Sequence, residues 1–317
     1  MLRLSATVVF WLVPTAFGFA PLHPPRYAAV PHSAHFATAP PTLTAAAAPP
    51  RSAHVVAAAL PTLPVIAAAC AVPTCLGYWK TEYGVSYAYG FATALMGALV
   101  LRAGPPTAVA TMHAAALVAY GTRLNAFLLW RELSVARFRE FREKIEARTV
   151  AAGGRLKRTP FILSCALLYA CMAAPILVSA RAVAPGLATA ALVAAAWAGL
   201  LLAAIGDLTK SWVKARRGPD ALVTSGVFRL FRHPNYTGEQ ILWTANLLAG
   251  FAAAASGGAA ARRASLGWLG ASVVGWAGIM FVLAQATANL EKKQEERMIG
   301  EFERWKKGSW GGVSLAK

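Results

Sequence analysis

Arg232, His233, Asn235 and Glu239 fall within one short run, Arg-Leu-Phe-Arg-His-Pro-Asn-Tyr-Thr-Gly-Glu-Gln at 229–240. Pro234 suits the first position of a helix, where its missing N–H would be unsatisfied anyway. Asn235 and Glu239 are four apart and share one face of the helix that Pro234 begins. Residues 234–255 are mainly apolar, so a carboxylate, an amide and a basic cluster converge at the mouth of a membrane helix. A carboxylate at the hydrocarbon centre costs about 3 kcal/mol on insertion scales. Glu239 is therefore expected to face a polar cavity. Such a mouth suits a large anionic ligand: Arg and Lys hold phosphates, and Asn and Glu hydrogen-bond an amide or a ribose.

Other chemistries lack their residues. No Gly-x-Gly-x-x-Gly follows a strand and no Gly-x-x-x-x-Gly-Lys-Ser/Thr occurs, which excludes Rossmann and P-loop sites. Beyond residue 54 the only histidines are His113 and His233, too few for a membrane di-iron centre or a Cys/His metal site. No serine stands in a hydrolase frame. His113, inside an apolar run, reads as a hydrogen-bonded structural residue. Cys70, Cys75, Cys165 and Cys171 form no Cys-x-x-Cys pair and read as small buried hydrophobes.

The elements that must position the mouth are membrane helices. The chain has 317 residues, 57% hydrophobic and 14% charged, against about 25% charged in soluble domains. Spanning takes about 20 apolar residues. Candidate spans are 55–76, 84–101, 106–130, 160–180, 184–205, 234–255 and 266–290. They lack strand alternation, so the expected fold is all-α: a polytopic membrane helix bundle with about seven transmembrane helices. This count puts Lys80, the loops 131–158 and 206–233, and the tail 291–317 on one side. That side collects 23 Lys and Arg, against four (Arg102, Arg181, Arg262 and Arg263) on the other. The asymmetry places the basic side, with the Asn235/Glu239 mouth, toward the cytosol or stroma. The net charge of +18 is accounted for in this way, and no nucleic-acid partner is expected. No obligate protein partner is inferred.

The first part of the chain reads as address. Residues 1–20 carry Arg3 and then an apolar run of signal-peptide length. Residues 21–54 are rich in Pro, Ala, Ser, Thr and His, with scattered Arg and no acid, a transit-peptide composition. The junction around Phe17, Phe19 and Ala20 resembles the Phe-bearing cleavage motif of bipartite plastid targeting sequences. The expected location is a plastid membrane, with the endoplasmic reticulum as the alternative. Residues 55–317 form the membrane helical domain.

Within 131–158, Arg139/Glu143, Glu140/Lys144 and Arg142/Glu146 are four apart, and Phe138, Phe141 and Ile145 can share a face. A solvated or interfacial helix on the basic side is expected.

Three segments together resemble the C-terminal domain of the steroid 5α-reductase superfamily. They are Ile205-Gly-Asp-Leu-Thr-Lys-Ser-Trp-Val-Lys214, Gly226-Val-Phe-Arg229 and Arg232-His-Pro-Asn-Tyr-Thr-Gly-Glu239. Gly121-Thr-Arg-Leu-Asn-Ala-Phe-Leu-Leu-Trp-Arg131 adds to the likeness, which covers about 120–307. The match is closest to the branch carrying Arg-His-Pro-Asn-Tyr-x-Gly-Glu. The resemblance implies NADPH as cofactor, with Asn235 and Glu239 at the nicotinamide end. It implies Asp207 and Lys214 at the ribose and phosphate, and Arg232 and Tyr236 lining the same cavity. It also implies reduction of a carbon–carbon double bond conjugated to a carbonyl, in a lipid-like substrate: sterol, isoprenoid or acyl. In relatives a Glu and a Tyr in the N-terminal half polarise the carbonyl; this chain offers Glu82, Tyr83, Tyr87 and Tyr89, of which Glu82 and Tyr87 are the candidates. Family tails end in a Tyr-rich segment running to a final Pro, and only the first half is matched, at Glu296-Arg297 and Phe302–Lys306. Two other readings stay open. One is an S-adenosylmethionine-dependent methyltransferase like the isoprenylcysteine carboxyl methyltransferases, which also place Arg-His-Pro-x-Tyr at a helix start. The other is a non-catalytic plastid membrane protein of the same fold.

Overall fold

The computed structural model describes residues 60–298 and 300–313. The signal and transit segments, and the first residues of the 55–76 span, lie outside them. Ten α-helices follow one another among the described residues: α1 (Leu63–Thr74), α2 (Leu76–Trp79), α3 (Ser86–Arg102), α4 (Ala108–Ser134), α5 (Ala136–Ala151), α6 (Thr159–Ser179), α7 (Leu187–Arg217), α8 (Pro234–Ala255), α9 (Ala259–Arg297) and α10 (Glu301–Lys307). Short 3₁₀ turns precede α3, α6 and α8 at Thr81–Gly84, Arg155–Arg158 and Gly226–Arg229. No strand occurs among the described residues; an isolated bridge joins Phe231 to Trp310. Proline opens α1, α6 and α8 within their first turns, where it removes no helical hydrogen bond. Thr107 caps α4 by accepting from the Ala110 N–H at 3.2 Å.

Among the described residues, four helical segments are long and apolar enough to cross a membrane, as an integral membrane protein requires: Thr81–Arg102, Arg155–Ser179, Leu187–Arg217 and Ala259–Arg297. Helices α4 and α8, of 27 and 22 residues, are long enough but more polar. They carry His113, Arg123 and Asn125, and Glu239, Gln240 and Asn246. The helices that bear the buried polar chemistry are thus the ones that dilute the apolar signal. Helix α7 has 31 residues, about 46 Å at 1.5 Å per residue, well beyond the ~30 Å hydrocarbon core. Its last three turns run past the apolar stretch. Asp207 and Lys214 therefore stand on one continuous helix, where the span count had placed a loop.

Small residues bring the backbones together. A Cβ on Gly206 of α7 would lie 2.6 Å from the Asn235 N, and one on Gly199 would lie 2.6 Å from the Leu242 N. From the other side, Gly238 of α8 abuts Ala203. Gly250 of α8 similarly packs on Pro175 of α6, and Gly275 of α9 on Cys171 and Met172. Such small-residue contacts are how helices approach closely where lipid gives no hydrophobic drive between them. Around them Met96, Leu117, Tyr120, Met172, Leu242 and Trp243 form the core. His113 is fully buried and satisfied: Nδ1 pairs with Ser179 Oγ and Nε2 with Asn246 Oδ1, each at 2.9 Å. It is the structural residue expected.

Two expectations are corrected. Cys75 is exposed, unlike Cys70, Cys165 and Cys171, because it sits in the break between α1 and α2. The pairs expected along α5 do not form. Glu146 instead binds Arg155 at 2.5 Å, Arg142 turns to Glu132, and Arg139 donates to the carbonyls of Glu132 and Leu133. Partners supplied by neighbouring elements displace the weak i,i+4 pairs of an isolated helix.

Candidate functional site

Asn235 and Glu239 sit on the first turns of α8, as the motif predicts. The close approach at Gly206 sets Asp207 of α7 beside them. Asp207 is not paired with Lys214. Its partner is Arg123 of α4, whose Nη1 donates to Asp207 Oδ2 at 2.5 Å. Both side chains are largely buried, at 19% and 12% exposure. Arg123 Nε and Nη2 are buried with no hydrogen-bond partner. Unmet guanidinium donors in a buried place are costly, and they suit an acceptor-rich ligand.

Glu239 is buried and faces aromatic rings. Tyr89 Oη donates to its Oε2 at 3.4 Å and accepts from Trp243 Nε1 at 2.6 Å. Tyr89 stacks on Tyr169 and meets Tyr120 edge-on, both with centroids 5.5 Å apart. Tyr120 packs edge-on against Trp243 at 5.5 Å. Its hydroxyl is buried within reach of Glu239 and Tyr89, without a well-formed hydrogen bond to either. The carboxylate therefore stands at the edge of a largely apolar, hydroxyl-bearing cage.

On the other side of Asn235 lies a basic cleft lined by Lys210, Lys214, Arg232, His233, Asn235 and Trp305. Its free volume is only ≈ 20 Å³, about the room for one water molecule. Lys214 Nζ donates to the Pro219 carbonyl at 2.5 Å. Arg232 is engaged with the tail: Nε donates to Glu291 Oε1 at 2.7 Å, and Nη1 to the Lys306 and Ser309 carbonyls. His233 Nε2 shares Glu291 Oε1 at 3.2 Å, and its ring stacks on Tyr236. Gln240 completes the closure with two bonds to the Val313 backbone, at 2.8 and 3.1 Å. Gly312 holds φ +73°, and a Cβ there would meet Gln240 and Thr237 at 3.0 Å. The segment 308–313 is thus bound directly onto the 232–240 motif.

Glu82 and Tyr87 belong to a second cluster. Tyr87 Oη donates to Glu132 Oε2 at 2.8 Å, and Tyr83 Oη donates to Glu132 Oε1. Arg142 Nη1 lies 3.1 Å from Glu132, its Nε lies 4.0 Å from Glu82, and its guanidinium covers the Tyr83 and Tyr87 rings. Burial raises the affinity of Glu132 for a proton. The Tyr83 and Tyr87 hydroxyls and Arg142 outweigh this and hold its pKa below the ordinary carboxylate range. The tyrosine that reaches Glu239 is Tyr89, two residues on, because the helical turn carries it to the opposite side of α3 from Tyr87. Arg123, Tyr120 and Trp243 were absent from the candidates drawn from sequence; Tyr89 was offered beside Tyr87 but not chosen. Arg123 was findable, as the lone cation inside the 106–130 apolar stretch.

A family model described as "Protein of unknown function (DUF1295)" matches residues 79–302. The chain belongs to the DUF1295 family. DUF1295 proteins are steroid 5-alpha reductase-like. The DUF1295 match runs from Trp79 to Phe302, so it contains both clusters and the 232–239 motif. It stops before the Ser309 and Val313 backbone that Arg232 and Gln240 hold. No curated protein and no solved structure matches the chain.

Proposed function

We propose that this chain is a membrane-embedded NADPH-dependent reductase of a conjugated carbon–carbon double bond in a lipid-like substrate. One juxtaposition carries the reading: Asn235 and Glu239 share a helix face between a basic cleft and an aromatic cage. The cleft, with Lys210, Lys214 and Asn235, has the charge for a dinucleotide. The unpartnered Arg123 donors, held beside Asp207 on the helix that flanks the cleft, add capacity to bind an acceptor-rich ligand. The cage of Tyr89, Tyr120, Tyr169 and Trp243 has the character for an apolar enone.

NADPH, when bound, supplies a hydride to the β-carbon of the enone. Asn235 and Glu239 then orient the nicotinamide amide by hydrogen bonds. Tyr120, whose hydroxyl makes no well-formed hydrogen bond, is the best-placed donor to the carbonyl oxygen as negative charge develops on it. A preorganised donor aimed at such charge contributes several kcal/mol in a dry site. Tyr89 is held by Trp243 and Glu239 and positions the carboxylate. Glu82 and Tyr87, being engaged with Arg142 and Glu132, have the weaker claim to this role. Arg232 serves the site by fastening the tail over the cleft, which must loosen for a nucleotide to enter.

In the same reading α4 and α8 cross the membrane with the four more apolar segments, α1–α2 supply the remaining span, and the membrane is that of a plastid. Thermal unfolding of the purified protein tests the reaction class. NADPH should raise Tm and S-adenosylmethionine should not. Stabilisation by S-adenosylmethionine alone would assign the methyltransferase reading instead, and no response to either would favour a non-catalytic protein.

A further inference from the structure

A second pocket lies away from the α7–α8 site, where the last turn of α5 meets the start of α6. It encloses ≈ 370 Å³, within the range of small-ligand sites. Arg148, Lys157 and Arg158 line it, with Ile145, Thr149 and Gly154, and no acidic residue does. Glu146 of α5, two residues before Arg148, is already bound by Arg155. Among the described residues, Arg148, Lys157 and Arg158 take part in no ion pair. Two glycines shape the turn: Gly153 at φ +97° and Gly154 at φ +88°. A Cβ on Gly153 would strike the Lys157 side chain, so this glycine lets the lysine fold back toward the pocket.

The surroundings identify the medium. Leu156 is 79% exposed and Val150 67%, and Phe161 and Leu163 are exposed on the first turns of α6. The Arg158 guanidinium lies over the Phe161 ring at 4.9 Å, a cation–π contact at the start of α6. Segment Arg155–Ser179 is long and apolar enough to cross a membrane. The pocket therefore opens where such a span leaves the hydrocarbon, on the basic end of the bundle. Three uncompensated cations over an apolar floor match a phosphate joined to acyl chains.

We infer that the Arg148/Lys157/Arg158 pocket binds the headgroup phosphate of an anionic phospholipid at the membrane surface. This is independent of the reductase reading. The test uses the full chain, purified in detergent and equilibrated with mixed phosphatidylcholine and phosphatidylglycerol. Lipid retained after washing is quantified by mass spectrometry. The variant Arg148→Gln/Lys157→Gln/Arg158→Gln should retain well over fivefold less phosphatidylglycerol than the unmodified chain, roughly fivefold being the effect of one cation, with phosphatidylcholine unchanged. The charge-matched variant Lys144→Gln/Lys292→Gln/Lys293→Gln should retain as much as the unmodified chain. Should the triple pocket variant fail to fold, Lys157→Gln alone, an exposed side chain, should show a smaller loss in the same direction. Equal loss in the charge-matched variant, or no loss in the pocket variants, overturns the proposal. Release of the lipid by millimolar inorganic phosphate overturns it too, since the site would then serve a free anion.

Discussion

Arg123 and Asp207 meet at 2.5 Å between α4 and α7, and two further Arg123 nitrogens point into the protein with nothing to bind. The pair joins the helix that carries the tyrosine cage partner Tyr120 to the helix that flanks the basic cleft. It is a structural tie and a source of unmet donors at once.

Breaking that tie from one side leaves a charge in a largely dry place. Arg123→Met should cost about 3 kcal/mol of stability, read as a fall in Tm in detergent. Arg123→Met combined with Asp207→Asn should recover much of the loss, because the stranded carboxylate is then gone. A double variant as unstable as the single one would show that packing of the Arg123 stem, not charge, is what matters.

The glycine contact between α7 and α8 sets the distance from Asp207 to Asn235. Gly206→Ala places a methyl 2.6 Å from the Asn235 backbone nitrogen, and neither backbone can yield cheaply. A loss of about 1–3 kcal/mol is expected. Gly267→Ala, in open space on α9, is the control and should be neutral or slightly stabilising.

The tail is held on the motif by side chains of the motif itself. Gln240→Ala removes both bonds to Val313, and Glu291→Gln weakens the hold on Arg232 and His233. Each should speed tryptic cleavage at Lys306 and Lys307 by roughly fivefold per lost net ~1 kcal/mol. Bound NADPH should slow that cleavage in the unmodified chain if the tail closes over the nucleotide.

Helix α5 is docked by carboxylates and should be acid-sensitive. Burial raises the pKa of Glu146, but the Arg155 guanidinium and the Thr81 N–H outweigh it, and the net shift is downward. Glu132 is lowered in the same manner. A lowered folded-state pKa gives stability that is present above the ordinary carboxylate range and is lost as pH falls through and below it. Tm should therefore drop from about pH 5 toward pH 3, and Glu146→Gln should flatten the drop while lowering Tm at neutral pH.

Much of this was legible in residue types. Pro234 with Asn235 and Glu239 four apart fixes a helix start and a shared face without any tertiary information, and α8 begins at Pro234. The apolar runs give α3, α4, α6 and α8 to within four residues, while α7 continues to Arg217 and α9 extends from Ala259 to Arg297, beyond the runs 184–205 and 266–290. What was not legible depends on helical phase and on long-range partners. Tyr87 and Tyr89 lie in one tyrosine-rich stretch, and only the rotation of α3 against α8 decides that Tyr89 meets Glu239. Lys214 sits on the same helix as Asp207, yet Arg123, 84 residues away in sequence, takes the carboxylate. Arg232 resembles a phosphate ligand in the motif, while the tail that occupies it is joined by backbone carbonyls, which leave no trace in side-chain identity.

The central claim is that Asn235 and Glu239 hold the nicotinamide end of a bound dinucleotide. The direct measurement is the NADPH dissociation constant of the purified chain and of Asn235→Ala and Glu239→Gln, by isothermal titration. Loss of hydrogen bonds to a charged or buried partner predicts affinity weakened about tenfold or more in each, with Tm little changed. Unchanged affinity in both variants, or no NADPH binding by the unmodified chain, would contradict it.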